Sequence, residues 1–163
     1  MWACQGRAGR RKARRAGEGS AEVLAQLHKV PGCENLTWND VQIASTIFAV
    51  KPGDGSAREQ AASCQRVLGA GANIVTEYAT KRYRSNLINW GMLPLQLVGA
   101  TPFGLGDYVF IPNVREALKG DLQNIKAYVL GDTAKEFSLY MAPLTADERK
   151  ILADGCLINF YKH

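Results

Sequence analysis

Histidine is scarce in this chain. His28 and His163 are the two copies in 163 residues, and neither has a Cys, Asp or Glu near it at ligand spacing. Both read as surface positions, not as a base or a metal ligand. The four cysteines, Cys4, Cys33, Cys64 and Cys156, are widely spaced and form no Cys-x-x-Cys pair. Without a secretory leader they read as free thiols, Cys64 and Cys156 as small core residues, and no metal is assigned to the chain. Long apolar runs are missing too. Nothing is long enough to span a bilayer, and the basic start lacks the following apolar core of roughly 7 to 15 residues that secretion needs. The expected compartment is the cytoplasm. Walker spacing, a dinucleotide glycine fingerprint and any fixed internal period are also absent, which excludes the common phosphate loops and repeat architectures.

Acidic residues are nearly missing from residues 1–20. Glu18 stands alone against Arg7, Arg10, Arg11, Lys12, Arg14 and Arg15, so the whole formal charge of +5 sits there, and 14 basic residues balance 14 acidic ones in the remainder. An Ala/Gly/Arg segment with so little to bury is expected to be a disordered tail. A nucleic-acid or anionic-membrane arm is the functional alternative. No aromatic platform or known nucleic-acid module accompanies the run, so neither partner is expected, and a mis-started reading frame accounts for it equally well.

At 163 residues and 47% hydrophobic, the chain suits one domain with its own core. Ser20 can cap a short helix through Lys29, Pro31-Gly32 turns the chain, and residues 21–40 read as helix plus linker. The folded domain is expected over residues 41–163. Val41, Ile43, Ile47, Phe48 and Val50 make a strand that Pro52-Gly53 cuts. A helix follows, with Ala57, Ala61, Cys64 and Leu68 as its apolar stripe, widened by Ala62 and Val67, and Gly69 at its end. Trp90, Met92 and Leu93 are expected in the core, with Gly91 as a helix C-cap. The cluster Lys81, Arg82 and Arg84 reads as a solvated helix face, with an interface as the alternative. Residues 107–111, 125–130 and 136–141 read as strands of a second sheet, and Thr145 and Glu148 as the capping box of a last helix closed by Gly155. Strands alternating with helices, followed by a strand-rich stretch, give a layered α/β domain.

The run Gly53-Asp54-Gly55-Ser56-Ala57-Arg58-Glu59-Gln60 lies at the junction of the first strand and its helix. Two glycines let a backbone approach a ligand closely, helix-start amides favour an anion, and a guanidinium adds a fork. Ser56 to Glu59 is equally a capping box, with Ser56 as N-cap and Glu59 reaching back, which needs no ligand. Both readings stand at this point.

Gly53 to Glu59 resembles the Gly-x-Gly-Ser-Ser-Arg-Glu-His run of the aconitase superfamily's carboxy-terminal swivelling domain. Residues 74–78 and the stretch Arg84-Ser85-Asn86-Leu87-Ile88-Asn89-Trp90-Gly91-Met92-Leu93-Pro94-Leu95 are similar to that domain's strand, helix and Asn-Leu-x-x-x-Gly-Leu-Leu-Pro-Leu turn. Residues 144–160, with Ala153-Asp154-Gly155-Cys156-Leu157-Ile158-Asn159, are similar to its end.

The resemblance implies a layered β/β/α swivelling fold of the aconitase or isopropylmalate isomerase small-subunit type. It implies dehydration or hydration of a small di- or tricarboxylic hydroxy acid, with Ser56 as the base, Arg58 as carboxylate clamp and alkoxide stabiliser, Ala57 at a substrate-binding position, and Gly53 and Gly55 as backbone cradle. It also implies a 4Fe-4S cluster held not by this chain but by a partner, either a large subunit or amino-terminal domains. Ala57 replaces the second serine and Gln60 the histidine. The family's Gly-Asp-x-x-x-Thr-Asp-His-like opening and its upstream substrate arginine have no counterpart, so the domain is expected to be amino-terminally truncated and inactive alone. A non-catalytic anion or nucleic-acid binding module, or an inactive fragment, is the alternative.

Overall fold

The computed structural model describes residues 2–4 and 18–162, with side chains from 21 onward. The basic run from Arg7 to Arg15 and the terminal His163, with the expectations attached to them, lie outside the described residues. The strands are β1 (Trp2–Cys4), β2 (Gln42–Ala49), β3 (Ala70–Val75), β4 (Leu93–Gln96), β5 (Tyr108–Ile111), β6 (Ile125–Leu130) and β7 (Lys135–Leu139). The helices are α1 (Glu18–Leu27), α2 (Arg58–Val67), α3 (Lys81–Asn89), α4 (Val114–Lys119), α5 (Ala146–Asp154) and α6 (Leu157–Phe160). Among the described residues no helix is long and apolar enough to cross a membrane.

The fold is mixed α/β. β2, β3 and β4 are parallel, and β5, β6 and β7 antiparallel. The antiparallel strands do not form the separate second sheet expected of them. All seven strands make one sheet, in the order β4-β3-β2-β1-β5-β6-β7. The joint is β1, parallel to β2 and antiparallel to β5. Residues 2–4, assigned by composition to a disordered tail, are thus a central strand. β2 and β5 would otherwise each present a row of unpaired N–H and C=O groups, a backbone demand that side-chain charge does not register. The outer edges also meet. Gln96 N donates to Tyr140 O at 2.7 Å and Tyr140 N to Gln96 O at 3.0 Å, so the sheet curls toward closure.

β3 is buried at all six positions, as befits a parallel strand covered on both faces. The main core gathers Ile74, Leu95, Ile111, Leu139, Met141 and Ile151. A second cluster packs Val23 and Leu27 of α1, then Val30, Cys33 and Val41, against Phe110, Tyr128 and Leu130. Residues 21–40 are therefore part of the folded unit and not a linker. α1 is already helical at Glu18, so Ser20 lies inside it instead of capping it. His28 is a half-buried strut whose Nε2 lies 2.8 Å from Leu36 O.

Two helix ends behave as the sequence expects. Thr145 and Glu148 form the capping box of α5, and Gly155 closes that helix at φ +93°. α3 ends in a Schellman turn, in which Gly91 N donates to Ile88 O and Met92 N to Leu87 O at 2.8 and 2.9 Å. Met92 and Leu93 are buried as expected. Trp90 is half-buried, because its indole N–H reaches out to the Glu59 carboxylate.

Candidate active site

β2, β3 and β4 all run in one direction, so the segments leaving their carboxyl ends gather at one end of the sheet. The glycine run leaves β2 there, and α3 enters there from β3. The two are stitched together residue by residue. Thr76 N donates to Ala49 O, Glu77 N to Val50 O and Ala79 N to Pro52 O at 3.3, 2.9 and 3.0 Å. Thr80 Oγ1 then donates to Gly53 O at 2.9 Å, while the same hydroxyl caps α3 by accepting from Tyr83 N. Lys51 and Glu77 add an exposed ion pair at 3.0 Å, worth little in water.

Gly53 sits at φ +98°, and a Cβ there would lie 2.5 Å from the Tyr83 ring. Only glycine fits both conditions. At Gly55 a Cβ would meet nothing within 4 Å. The space beside Gly55 is open to whatever approaches from outside.

The expected Ser56 to Glu59 capping box does not form. The N-cap of α2 is Ala57, whose side chain offers no acceptor. Glu59 is engaged elsewhere, since its Oε1 accepts from Trp90 Nε1 at 2.7 Å. With its amide oriented to suit its neighbours, Asn86 donates to Glu59 Oε2 and accepts from Glu59 N, both at 3.1 Å. The two sequence motifs therefore lock onto each other through Glu59, Asn86 and Trp90. This leaves Ser56 exposed and without a hydrogen bond, while Ala61 N to Ala57 O is the first bond of the helix. The earlier amides of α2 lack intrahelical carbonyls, an anion-favouring arrangement.

Arg58 is half-buried. Its Nε donates to Gly53 O at 3.1 Å and its Nη2 to Asp54 O at 3.3 Å. The guanidinium edge thus closes the loop, and the Nη1–Nη2 end remains for a carboxylate. Beneath the loop lies a polar group that the sequence reading missed. Tyr83 is buried, and its hydroxyl lies 2.8 Å from Gln65 Nε2 and 3.0 Å from Asn73 Nδ2. One signal was available, an asparagine in the middle of an otherwise apolar strand. Beside this group, burial pushes the Tyr78 hydroxyl well above the ordinary phenol range, Tyr83 adds to the rise and Arg84 opposes it.

Other expectations need correction. The stripe Ala57, Ala61, Cys64 and Leu68 is exposed, and Ala62 is the buried residue of α2, so that helix lies on the sheet by a narrow edge. Cys64 is exposed and Cys156 only half-buried. Cys33 is the buried thiol, raised above its usual range by burial and then by Glu34. Alkylation with iodoacetamide in the native state is therefore expected to reach Cys64 well before Cys33, with peptide mapping of the early label as the check. Lys81 and Arg82 are exposed, but Arg84 is not part of a solvated face, since its Nη2 donates to Pro143 O at 3.3 Å.

A hollow of about 420 Å³ opens elsewhere, lined by Val41, Leu93, Val114 and Leu152 among others, at the amino ends of β2 and β4. The Ser56 loop is outside it, on open surface. Among the described residues no three His, Cys, Asp or Glu side chains converge.

Residues 26–99 match the family model described as the aconitase C-terminal domain. Aconitate hydratase A of Mycobacterium avium is 34% identical over 116 residues, which cover 66% of this chain and 12% of that protein. The chain thus corresponds to a small part of its curated relative. A solved 3-isopropylmalate dehydratase from Methanocaldococcus jannaschii is 27% identical, with a TM-score of 0.48, over 80% of this chain and 68% of that one.

Proposed function

We propose, for a chain that belongs to the aconitase superfamily through its carboxy-terminal swivelling domain, that it supplies a serine base and a carboxylate clamp to an aconitase-like hydro-lyase. The substrate class is a small di- or tricarboxylic hydroxy acid. The observation that carries this reading is the start of α2, where the N-cap Ala57 offers no side-chain acceptor, Ser56 stands exposed and unbonded at the threshold and Arg58 follows directly.

In such a reaction a C–H bond beside a carboxylate breaks, its electron pair becomes the new C=C bond, and hydroxide leaves the adjacent carbon. Ser56 Oγ takes the proton. A serine hydroxyl is too weak an acid to yield its anion unaided, so the alkoxide needs preorganised donors. The Arg58 and Gln60 amides at the start of α2, which Asn86 leaves open when it takes that of Glu59, and the free end of Arg58 are such donors. That end also grips a substrate carboxylate, while the Nε edge stays on the loop carbonyls. Ala57 contributes only its backbone where the family run has a serine. Gly53 fixes the turn and Gly55 leaves room for the acid to approach.

A loop on open surface needs a cover before charge can be handled in a dry site. The proposed cover is a partner carrying the 4Fe-4S cluster, either a large subunit or amino-terminal domains. Exposed Phe48, Val50, Val98 and Leu105, near or beyond the carboxyl ends of β2 and β4, support that reading. The proposed compartment, on sequence grounds, is the cytoplasm. Titration of the chain with malonate is the test, followed by amide shifts of residues 53–60. Malonate is expected to move the Ser56 and Arg58 signals, and Arg58→Ala to weaken the response by about 10- to 100-fold, the worth of a charge-assisted hydrogen bond. A response that is indifferent to Arg58 would remove the clamp.

A further inference from the structure

We propose that Tyr83 is a positioning residue for the Ser56 loop, acting through Gly53 and held in register by Asn73 and Gln65. The proposal rests on the reading of Ser56 and Arg58 given above. Ser56 makes no hydrogen bond of its own, so its place is set entirely by the backbone on either side. On one side that backbone is Gly53, whose Cα lies so close to the base of the Tyr83 ring that a Cβ would sit 2.5 to 2.6 Å from Cγ, Cβ and Cδ1. The Gly53 carbonyl carries both Thr80 Oγ1 and Arg58 Nε. A shift of the ring therefore moves the acceptor that orients the guanidinium and the turn that presents the serine.

The ring itself is pinned from two directions. Gln65 comes from α2, the helix that follows the loop, and Asn73 from β3, the strand beside the one that precedes it. Asn73 is fully buried, and its Oδ1 has no partner. Burying an amide that is only half satisfied is costly. An apolar residue would fill the site without that cost, so the hydroxyl of Tyr83 is what the amide is there to hold. Tyr83 N also donates to Thr80 Oγ1, which places the ring, the cap of α3 and the Gly53 carbonyl in one connected unit.

The test compares Tyr83→Phe with Tyr140→Phe in the whole chain. Tyr140 is half-buried and its hydroxyl accepts from Gln96 Nε2 at 3.0 Å where the sheet edges meet, so its loss reports a comparable bond with no link to the loop. Native-state exchange of the Glu77, Ala79 and Ala61 amides, which are protected by the carbonyls of Val50, Pro52 and Ala57 and so report opening of the loop, is read against that of β6. Tyr83→Phe is expected to speed loop exchange about tenfold relative to β6 and to weaken malonate binding, whereas Tyr140→Phe leaves both loop readings unchanged. Equal effects of the two variants, or loop exchange unmoved by Tyr83→Phe, would overturn the proposal. If Tyr83→Phe does not fold, Gln65→Met removes one of the two pins from a half-buried position, and a smaller rise in the same amides is expected. A chain that never responds to malonate defeats the carboxylate reading, while the exchange measurement still decides the role of Tyr83.

Discussion

Ser56→Ala, introduced into the complete enzyme assembled with its cluster-bearing partner, is expected to lower the rate of substrate C–H exchange with solvent deuterium by about 10²- to 10⁴-fold, the usual worth of a positioned base. Substrate affinity is expected to change little, about twofold at most, because one exposed hydroxyl adds little to ground-state binding beside a charged clamp. Folding should be unaffected. Ser56 is exposed, caps no helix and makes no hydrogen bond, so nothing in the fold depends on it. Isotope exchange separates the chemical step from binding and product release, and an unchanged exchange rate would remove the serine from the base role. The same serine would have been a poor choice for this experiment had it capped α2, because a lost cap of about 1 kcal/mol would have blurred the result.

Gly91→Ala is expected to destabilise the fold strongly. Gly91 has φ +67°, and its added Cβ would fall 1.6 Å from the carbonyl oxygen of Gly155. The left-handed conformation alone costs an alanine about 1–2 kcal/mol. The overlap is with backbone, which cannot swing aside as a side chain can, and forced repacking typically adds about 1–3 kcal/mol. Together these lower the melting temperature by about 10 °C or prevent folding, at roughly 2–4 °C per kcal/mol for a chain of this length. Gly99→Ala is the control. Its φ is +91°, but nothing lies within 4 Å of the new methyl, so only the backbone strain remains. Thermal unfolding of the two variants side by side checks the argument, and equal losses would mean that the Gly91–Gly155 contact carries no weight.

The close approach of Gly91 to Gly155 also shows why two motifs about sixty residues apart in the sequence belong to one structure. The turn after α3 and the end of α5 touch backbone to backbone. Sequence reading identified each glycine as a helix terminator from its neighbours alone. It could not show that the two face each other, because local pattern holds no information on which turns become neighbours.

The same division runs through the site. The junction that holds Gly53, Ser56 and Arg58 was legible because a strand, a glycine turn and a helix start leave marks at fixed offsets. The capping box at Ser56 was legible too and did not form, because Glu59 finds a better-placed donor in Trp90 and a double partner in Asn86. Tertiary partners outcompeted a local one. The stripe of α2 failed for a related reason. Helical periodicity names a face that could be buried, and the sheet took only Ala62 of it.

By itself the sequence determined the order and kind of most elements, the turns set by Gly91 and Gly155, the capping box of α5 and the glycine run that leads into α2. Those features follow from propensities and spacings within about a turn or a strand, and so are written locally. Only the tertiary structure decided that residues 2–4 join the two halves of the sheet, that α1 and the segment after it pack as core, and that Tyr83 underlies Gly53. Each of these depends on pairing, burial or steric contact between segments far apart in the chain, which becomes defined only when the backbone has closed on itself.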